Sequence, residues 1–250
     1  MPFYFKSNTA NDTGFFVKEK YGRAVIFGEY VTDQVKLDGM NAGVPLEIGV
    51  LSRASADFYY LQADGVFGLS FKDLVRGHGR FESAVHSLLS TVDKKQVNLW
   101  LNKATSNADR IGRVSFGKAD SKQCKGSPAF YPNSFSYFFY VEKPLPAMPT
   151  LEFHEFVRAI GLNSVQSFDC SYVDGLDLQL KIGGNYYALS SDDYTYKDQN
   201  GNCNPLVVDN GNYDQDGNGW VLGEPFLRNV CIHWDVSTTA IGFSPAVSNS

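Results

Sequence analysis

The chain has 250 residues, 43% of them hydrophobic and 14% aromatic, which exceeds a minidomain and suits one large domain or two lobes with buried cores. Its 19 Phe, 14 Tyr and 23 Gly, with only 20% charged residues, exclude a coiled-coil or disordered chain and favour a mainly β architecture. A formal charge of -5 with scattered Lys and Arg excludes the basic footprint of a nucleic-acid or anionic-membrane binder, and no apolar run reaches the length of about 18 residues that a membrane span needs.

In chain order, "GRAVIFGEYVTDQVKL" (22–37) reads as two strands with a bend at Gly28, the second alternating through Tyr30, Thr32, Val35 and Leu37. "VPLEIGVLSRAS" continues that sheet. "ADGVFGLSF" (63–71), nearly all apolar and punctuated by Gly65 and Gly68, reads as a fully buried central strand. A helix over 81–92, "FESAVHSLLSTV", presents Phe81, Val85, Leu88 and Leu89 on one face. Strands follow in "VNLWLNK", "GRVSFGKAD" and "FSYFFYVEK", and then "PLPAMP" (144–149) is an interruption that suits neither helix nor central strand. A second helix, "LEFHEFVRAIG" (151–161), aligns Leu151, Phe153, Phe156, Val157 and Ile160 and stops at Gly161. "LDLQLKIGGNYYALS" returns to strands, 190–219 reads as one polar loop, and "GWVLGEPFLRNVCIHWDVSTTAIGFSPA" closes the chain as strands.

Few motifs carry chemistry. The four cysteines (Cys124, Cys170, Cys203, Cys231) show no zinc spacing, and the four histidines (His78, His86, His154, His233) show no paired ligand spacing. No nucleophile elbow occurs. Counting from Asn212, Asp214, Asp216 and Gly217 fall at the third, fifth and sixth places of a calcium loop, but Gly223 stands where a bidentate Glu is needed. No metal and no cofactor are expected. Asn11-Asp12-Thr13 is an N-glycosylation sequon, a surface acceptor in an exported chain. The first residues, "MPFYFKSNTAND", lack the charged leader and apolar core of an export signal, which sits uneasily with disulfides.

Taken together and in order, these segments resemble the pepsin-like aspartic endopeptidases over most of the chain. Tyr21-Gly22, with Gly28 and Asp33 beyond, is similar to that family's flap hairpin, with Tyr21 as the flap tyrosine over the substrate. "ADGVFGL" resembles the family's D-G-I-L-G-L strand, and "GRVSFGKADSKQCKGSPAFYPN" its G-x-L-x-F-G-G-x-D segment. "GWVLGEPFLRNVCIHWDVSTTAIGFSPA" is similar to W-I-L-G-D-x-F-L-R, an F-D pair and I-G-F-A. The resemblance implies a bilobal pepsin-like acid-protease fold, with residues 1–120 as the amino-terminal lobe and 121–250 as the carboxyl-terminal lobe. It implies a monomer acting on peptide or protein substrates at acidic pH, in a secreted or lysosomal setting. Cys170 and Cys203 match a family disulfide; Cys124 and Cys231 are left either to form a second bridge or to remain as two thiols.

That chemistry requires two aspartates about 3 Å apart, sharing a proton so that one acts as base and the other as acid toward a single water. Asp12-Thr13-Gly14 carries the signature tripeptide, yet Asp12 lies only 21 − 12 = 9 residues before Tyr21, follows the polar "SNTAN", and its Gly14 is followed by Phe15-Phe16 instead of two serines. It reads as a surface link before the flap. Asp209 in "VVDNGN" mimics the second signature but reads as a turn former, and "PLPAMP", where the second loop belongs, holds no Asp. The expectation is a fold incomplete in both lobes, without competent aspartates, that leaves the apolar strands at 65–69 and 220–223 lacking a central neighbour. The alternative is a noncatalytic homologue that still binds peptides or proteins in the old cleft.

Overall fold

The computed structural model describes residues 7–21, 24–55, 64–69, 83–103, 112–132, 146–162, 166–212 and 219–247. These divide into two units, one of Met1–Val97 with Phe116–Lys118 and one of Asn98–Ser115 with Ala119–Ser250.

In the first unit, alternating β-formers build β1 (Asn11–Tyr21) and β2 (Ala24–Asp33). Two-residue strands β3 (Lys36–Leu37) and β4 (Met40–Asn41) and the longer β5 (Leu46–Ala54) follow. β1, β2 and β5 form an antiparallel sheet in that order. The bend expected at Gly28 is a register shift inside one continuous strand. A Cβ on Gly28 would lie 2.0 Å from the Val50 carbonyl oxygen, so only glycine lets the backbones approach there. β3 and β4 are joined by Asp38-Gly39, both at positive φ, the turn chemistry that Asp-Gly favours. Helix α1 (Ala84–Leu89) is shorter than the periodicity suggests. Beyond it, Ser90 and Thr91 hydroxyls bond back to Ser87 and Leu88 carbonyls, and the Lys95 ammonium donates to the carbonyls of Leu89, Ser90 and Val92. Val85, Leu88 and Leu89 are buried as expected, with Leu88 against Ala42 and Leu46; Phe81 lies outside the described residues.

Two expectations for this unit are corrected. The segment before Tyr21 is a paired strand and not a link, because Asn11 and Asp12 are in register with Thr32 and Val31. The apolar stretch Asp64–Leu69 is not a buried strand: Val66, Phe67 and Leu69 are 60, 42 and 36% exposed. Among the described residues no strand pairs with it.

The second unit carries β6 (Gln96–Leu101, from Asn98 onward), β7 (Gly112–Phe116), β8 (Ala129–Pro132) and β9 (Ala147–Met148). Helix α2 (Thr150–Ala159), hairpin β10 (Leu178–Ile182) and β11 (Asn185–Leu189), and the single-turn α3 (Ser191–Tyr194) come next. β12 (Thr195–Lys197), β13 (Cys203–Pro205), β14 (Val208–Asp209), α4 (Gly223–Leu227), β15 (Val230–Asp235) and β16 (Ala240–Pro245) complete it. A five-stranded sheet runs β7-β6-β15-β16-β8. Its centre is the closing apolar stretch, in which the first five residues of both β15 and β16 are buried. Trp100 packs on the Cys124–Cys231 disulfide beside Ala119 and Ala246 and donates its indole N–H to the Val247 carbonyl at 3.1 Å.

α2 buries Phe153, Val157 and Ile160 and stops at Gly161, whose φ of +75° supplies the left-handed exit. Leu151, expected on the same face, is exposed, and Phe156 stands half-buried, edge-on to Tyr194. The single polar loop expected over 190–219 is instead α3, the hairpin β12–β13 and β14. Ser190 and Asp193 form a reciprocal cap that starts α3. Trp220–Gly223 is not a strand either; Val221 makes one bridge and α4 begins at Gly223, with Pro225 in the first turn where its missing N–H costs nothing. "FSYFFYVEK" lies outside the described residues.

Candidate functional site

The pairing of β1 with β2 runs to Tyr21, in register with Ala24; Gly22 lies outside the described residues. Lower on the hairpin, register slips between Asp12 and Phe16, so Thr13, Gly14 and Phe15 form a bulge directly after the paired Asp12. Gly14 takes a φ of +72° there and donates its N–H to Asp12 Oδ1 at 2.8 Å. Thr13 Oγ1 donates to the Tyr30 carbonyl at 2.6 Å, tying the bulge to β2. Asp12 is exposed, with its carboxylate serving as a local turn acceptor.

A different carboxylate at the base of β2 is enclosed. Asp33 Oδ1 accepts from Thr9 Oγ1 at 2.5 Å and from the Gln34 N–H at 2.7 Å. The Thr9 and then the Ser7 hydroxyl hold its carboxyl below the usual carboxylate range, against the opposing effect of burial. Sequence reading used Asp33 only to register the flap and missed this role.

In the second unit the decisive element is β9. "PLPAMP" was expected to be an interruption, yet Ala147 and Met148 are 1 and 2% exposed and form a strand between two neighbours. Val208 and Asp209 of β14 pair with them in parallel, and Val221 bridges Ala147 from the other side. The prolines permit this because they flank the strand: Pro146 offers its carbonyl to the Val208 N–H at 3.0 Å, while Ala147 supplies the N–H that proline lacks. Val221 is therefore not left without a neighbour as expected.

Asp209, expected in a loop, ends β14 against the first turn of α2. Its Oδ1 accepts from Thr150 Oγ1 at 2.8 Å and from the Gly211 N–H at 2.9 Å, and Asn210 donates to the Gly219 carbonyl at 2.7 Å. A Cβ on Gly211 would fall 2.3 Å from Thr150 Oγ1, so the turn closes tightly over this carboxylate. Glu224 is half-spoken for, in an ion pair with Arg228 one helical turn on.

Both cysteine pairs are bridged, Cys170 to Cys203 and Cys124 to Cys231, which decides the alternative left open for the second pair. Among the histidines, His86 and His154 are exposed, while His233 is buried in β15 between the Asn98 Oδ1 at 2.7 Å and the Ser244 Oγ at 2.8 Å. His78 and the acidic residues Asp214 and Asp216 lie outside the described residues. Among the described residues no three His, Cys, Asp or Glu converge on a metal position, and no helix is long and apolar enough to cross a membrane.

Comparison with known proteins follows the same lines. The profile of the eukaryotic aspartyl protease family matches residues 4–142 and 144–246. Aspartic protease 17 of Caenorhabditis elegans is 22% identical over 91% of this chain and 66% of its own length. Aspartic protease 6 of the same organism is 24% identical over 80% of this chain and 58% of its own length. Pepsin A of Gallus gallus is 22% identical over 96% of this chain and 71% of its own. Among solved structures, the aspartic proteinase from Irpex lacteus superposes with a TM-score of 0.78 at 20% identity, covering 97% of this chain and 84% of that one. The chain thus spans about two thirds or less of the length of the nematode relatives it matches.

Proposed function

The chain belongs to the eukaryotic aspartyl protease family and has a mainly β, pepsin-like fold, and from that premise we propose that it is an aspartic-endopeptidase relative that does not itself cleave peptides. One observation carries the proposal. The strand leading into α2 holds Ala147 and Met148 in the buried position between β14 and Val221, and no aspartate stands between Lys143 and Leu151 to present a carboxylate from it. The two aspartates with signature-like neighbours support the same reading. Asp12 serves a surface bulge, and Asp209 is engaged by the Thr150 hydroxyl and the Gly211 N–H. Sharing one proton over an attacking water requires two facing carboxylates in a protected site, and Asp12 is exposed.

Peptide binding without cleavage is the second reading, favoured by the long β1–β2 hairpin with Tyr21 at its end. The edge of such a hairpin offers backbone groups to an extended peptide. The ligand is then an extended peptide or unfolded protein segment, and the compartment is secretory or lysosomal, as for the family. The test is incubation of an unfolded protein substrate at acidic pH, with binding of a transition-state-mimicking aspartic peptidase inhibitor measured in parallel. No cleavage with inhibitor binding supports the binding reading; no cleavage and no binding supports loss of both; inhibitor-sensitive cleavage overturns the proposal.

A further inference from the structure

β1 is the edge strand of the β1-β2-β5 sheet, and its outer side is open among the described residues. Open edges invite pairing with another chain and need a guard. Toward Tyr21 the edge carries exposed Lys18. Toward its start the edge has no such cation, yet Phe16 is 76% exposed there. This unguarded half begins with Asn11-Asp12-Thr13.

The geometry at Asn11 accommodates a bulky attachment. Asn8, Thr9, Asn11 and Asp12 are all exposed, so nothing described crowds the side-chain amide. Its Nδ2 donates to the Thr9 carbonyl at 3.3 Å, a long local contact that a secondary amide, keeping one N–H, can retain. Thr13 is half-buried, with its hydroxyl on the Tyr30 carbonyl, while the acceptor Asn11 stands in solvent.

We infer that Asn11 is an N-glycosylation site whose glycan shields the open edge of β1. The attachment joins the Asn11 amide nitrogen to C1 of an oligosaccharide supplied as its lipid-linked diphosphate. The bond from C1 to the diphosphate oxygen breaks, the lipid diphosphate leaves, and one amide proton is released. The inference rests on the reading that the chain enters the secretory pathway, with which its two disulfides agree.

The full 250-residue chain, fused to a cleavable secretory leader, is expressed in a eukaryotic host, and both lysate and medium are analysed. Supplying the leader separates failure of glycosylation from failure of the native chain to be exported. The expected result is one discrete mass step removed by peptide-N-glycosidase, with peptide mapping locating the resulting Asp at position 11. Thr13→Ala should abolish the step and Thr13→Ser should restore part of it. Disulfide-bonded chain with unmodified Asn11 in both fractions overturns the site. For the shielding role, enzymatically deglycosylated protein should form larger species on size exclusion; an unchanged elution position overturns that part, without recourse to a variant that fails to fold.

Discussion

Ala147 and Val221 exchange a reciprocal pair of backbone hydrogen bonds, N–H to carbonyl at 2.8 Å in each direction. The contact sets a two-residue buried strand between β14 on one side and the bridging residue Val221 on the other. Ala147→Asp puts a carboxylate on this strand, yet it should produce destabilisation and no cleavage. The cost of an unpaired buried charge is several kcal/mol, read as a large fall in urea midpoint at neutral pH.

Gly183 turns the β10–β11 hairpin at a φ of +54°, and a Cβ there would lie 2.0 Å from the Tyr131 ring. That ring is fixed by Asn185 Nδ2, which donates to its hydroxyl at 2.6 Å, and by the Tyr187 hydroxyl at 3.0 Å. Burial, then the Tyr131 hydrogen bond, pushes the Tyr187 phenol well above its usual range. Gly183→Ala should cost about 1–3 kcal/mol through strain and overpacking. Near-ultraviolet circular dichroism should show the tyrosine environment change together with the loss of stability.

Asp198 organises the turn between β12 and β13. Burial opposes its charge, but the N–H groups of Asn202 and Asn200, with the Ser167 hydroxyl and the Asn204 amide, hold its carboxyl below the usual range. A folded-state value below the unfolded one, which is about 3.9, means the stabilisation is complete above that pH and fades as pH falls through the folded value. Asp198→Ala should therefore be less stable than the parent at neutral pH, with the gap closing below about pH 4. Urea midpoints across that range measure it.

The two disulfides close loops of 33 and 107 residues. On the chain-entropy model they stabilise by about 4 and about 5 kcal/mol. Removing Cys124 and Cys231 together should lower the melting temperature at least as much as removing Cys170 and Cys203, and should also expose Trp100, which packs on the first bridge. Tryptophan fluorescence during thermal melts of the two double-alanine variants checks the order.

Much of the ladder structure was legible because period-two alternation and turn chemistry are local: β2, β5, β10 and β11 fall where apolar and polar residues alternate. Gly28 announced its register shift for the same reason, since only a missing side chain admits the Val50 carbonyl. β9 was hidden because prolines flag a break, and nothing in Ala147-Met148 reveals that two distant segments supply its ladder. Asp64–Leu69 failed in the opposite direction, being apolar enough for a core strand but lacking a described partner. At the site, the tripeptide at Asp12 looked chemical because a motif carries no information about its ladder, whereas its bulge is set by pairing with β2. The enclosure of Asp33 needed Thr9, which is 24 positions away in sequence. The Ser190–Asp193 cap, by contrast, had a readable three-residue spacing that went unread.

The central claim is that this chain does not hydrolyse peptides. The most direct measurement is cleavage of an unfolded protein at acidic pH by the purified 250-residue chain, followed by mass spectrometry of the products, beside Asp12→Asn and Asp209→Asn variants. The account predicts intact substrate in all three. Cleavage that an aspartic peptidase inhibitor blocks, and that either substitution abolishes, would contradict it.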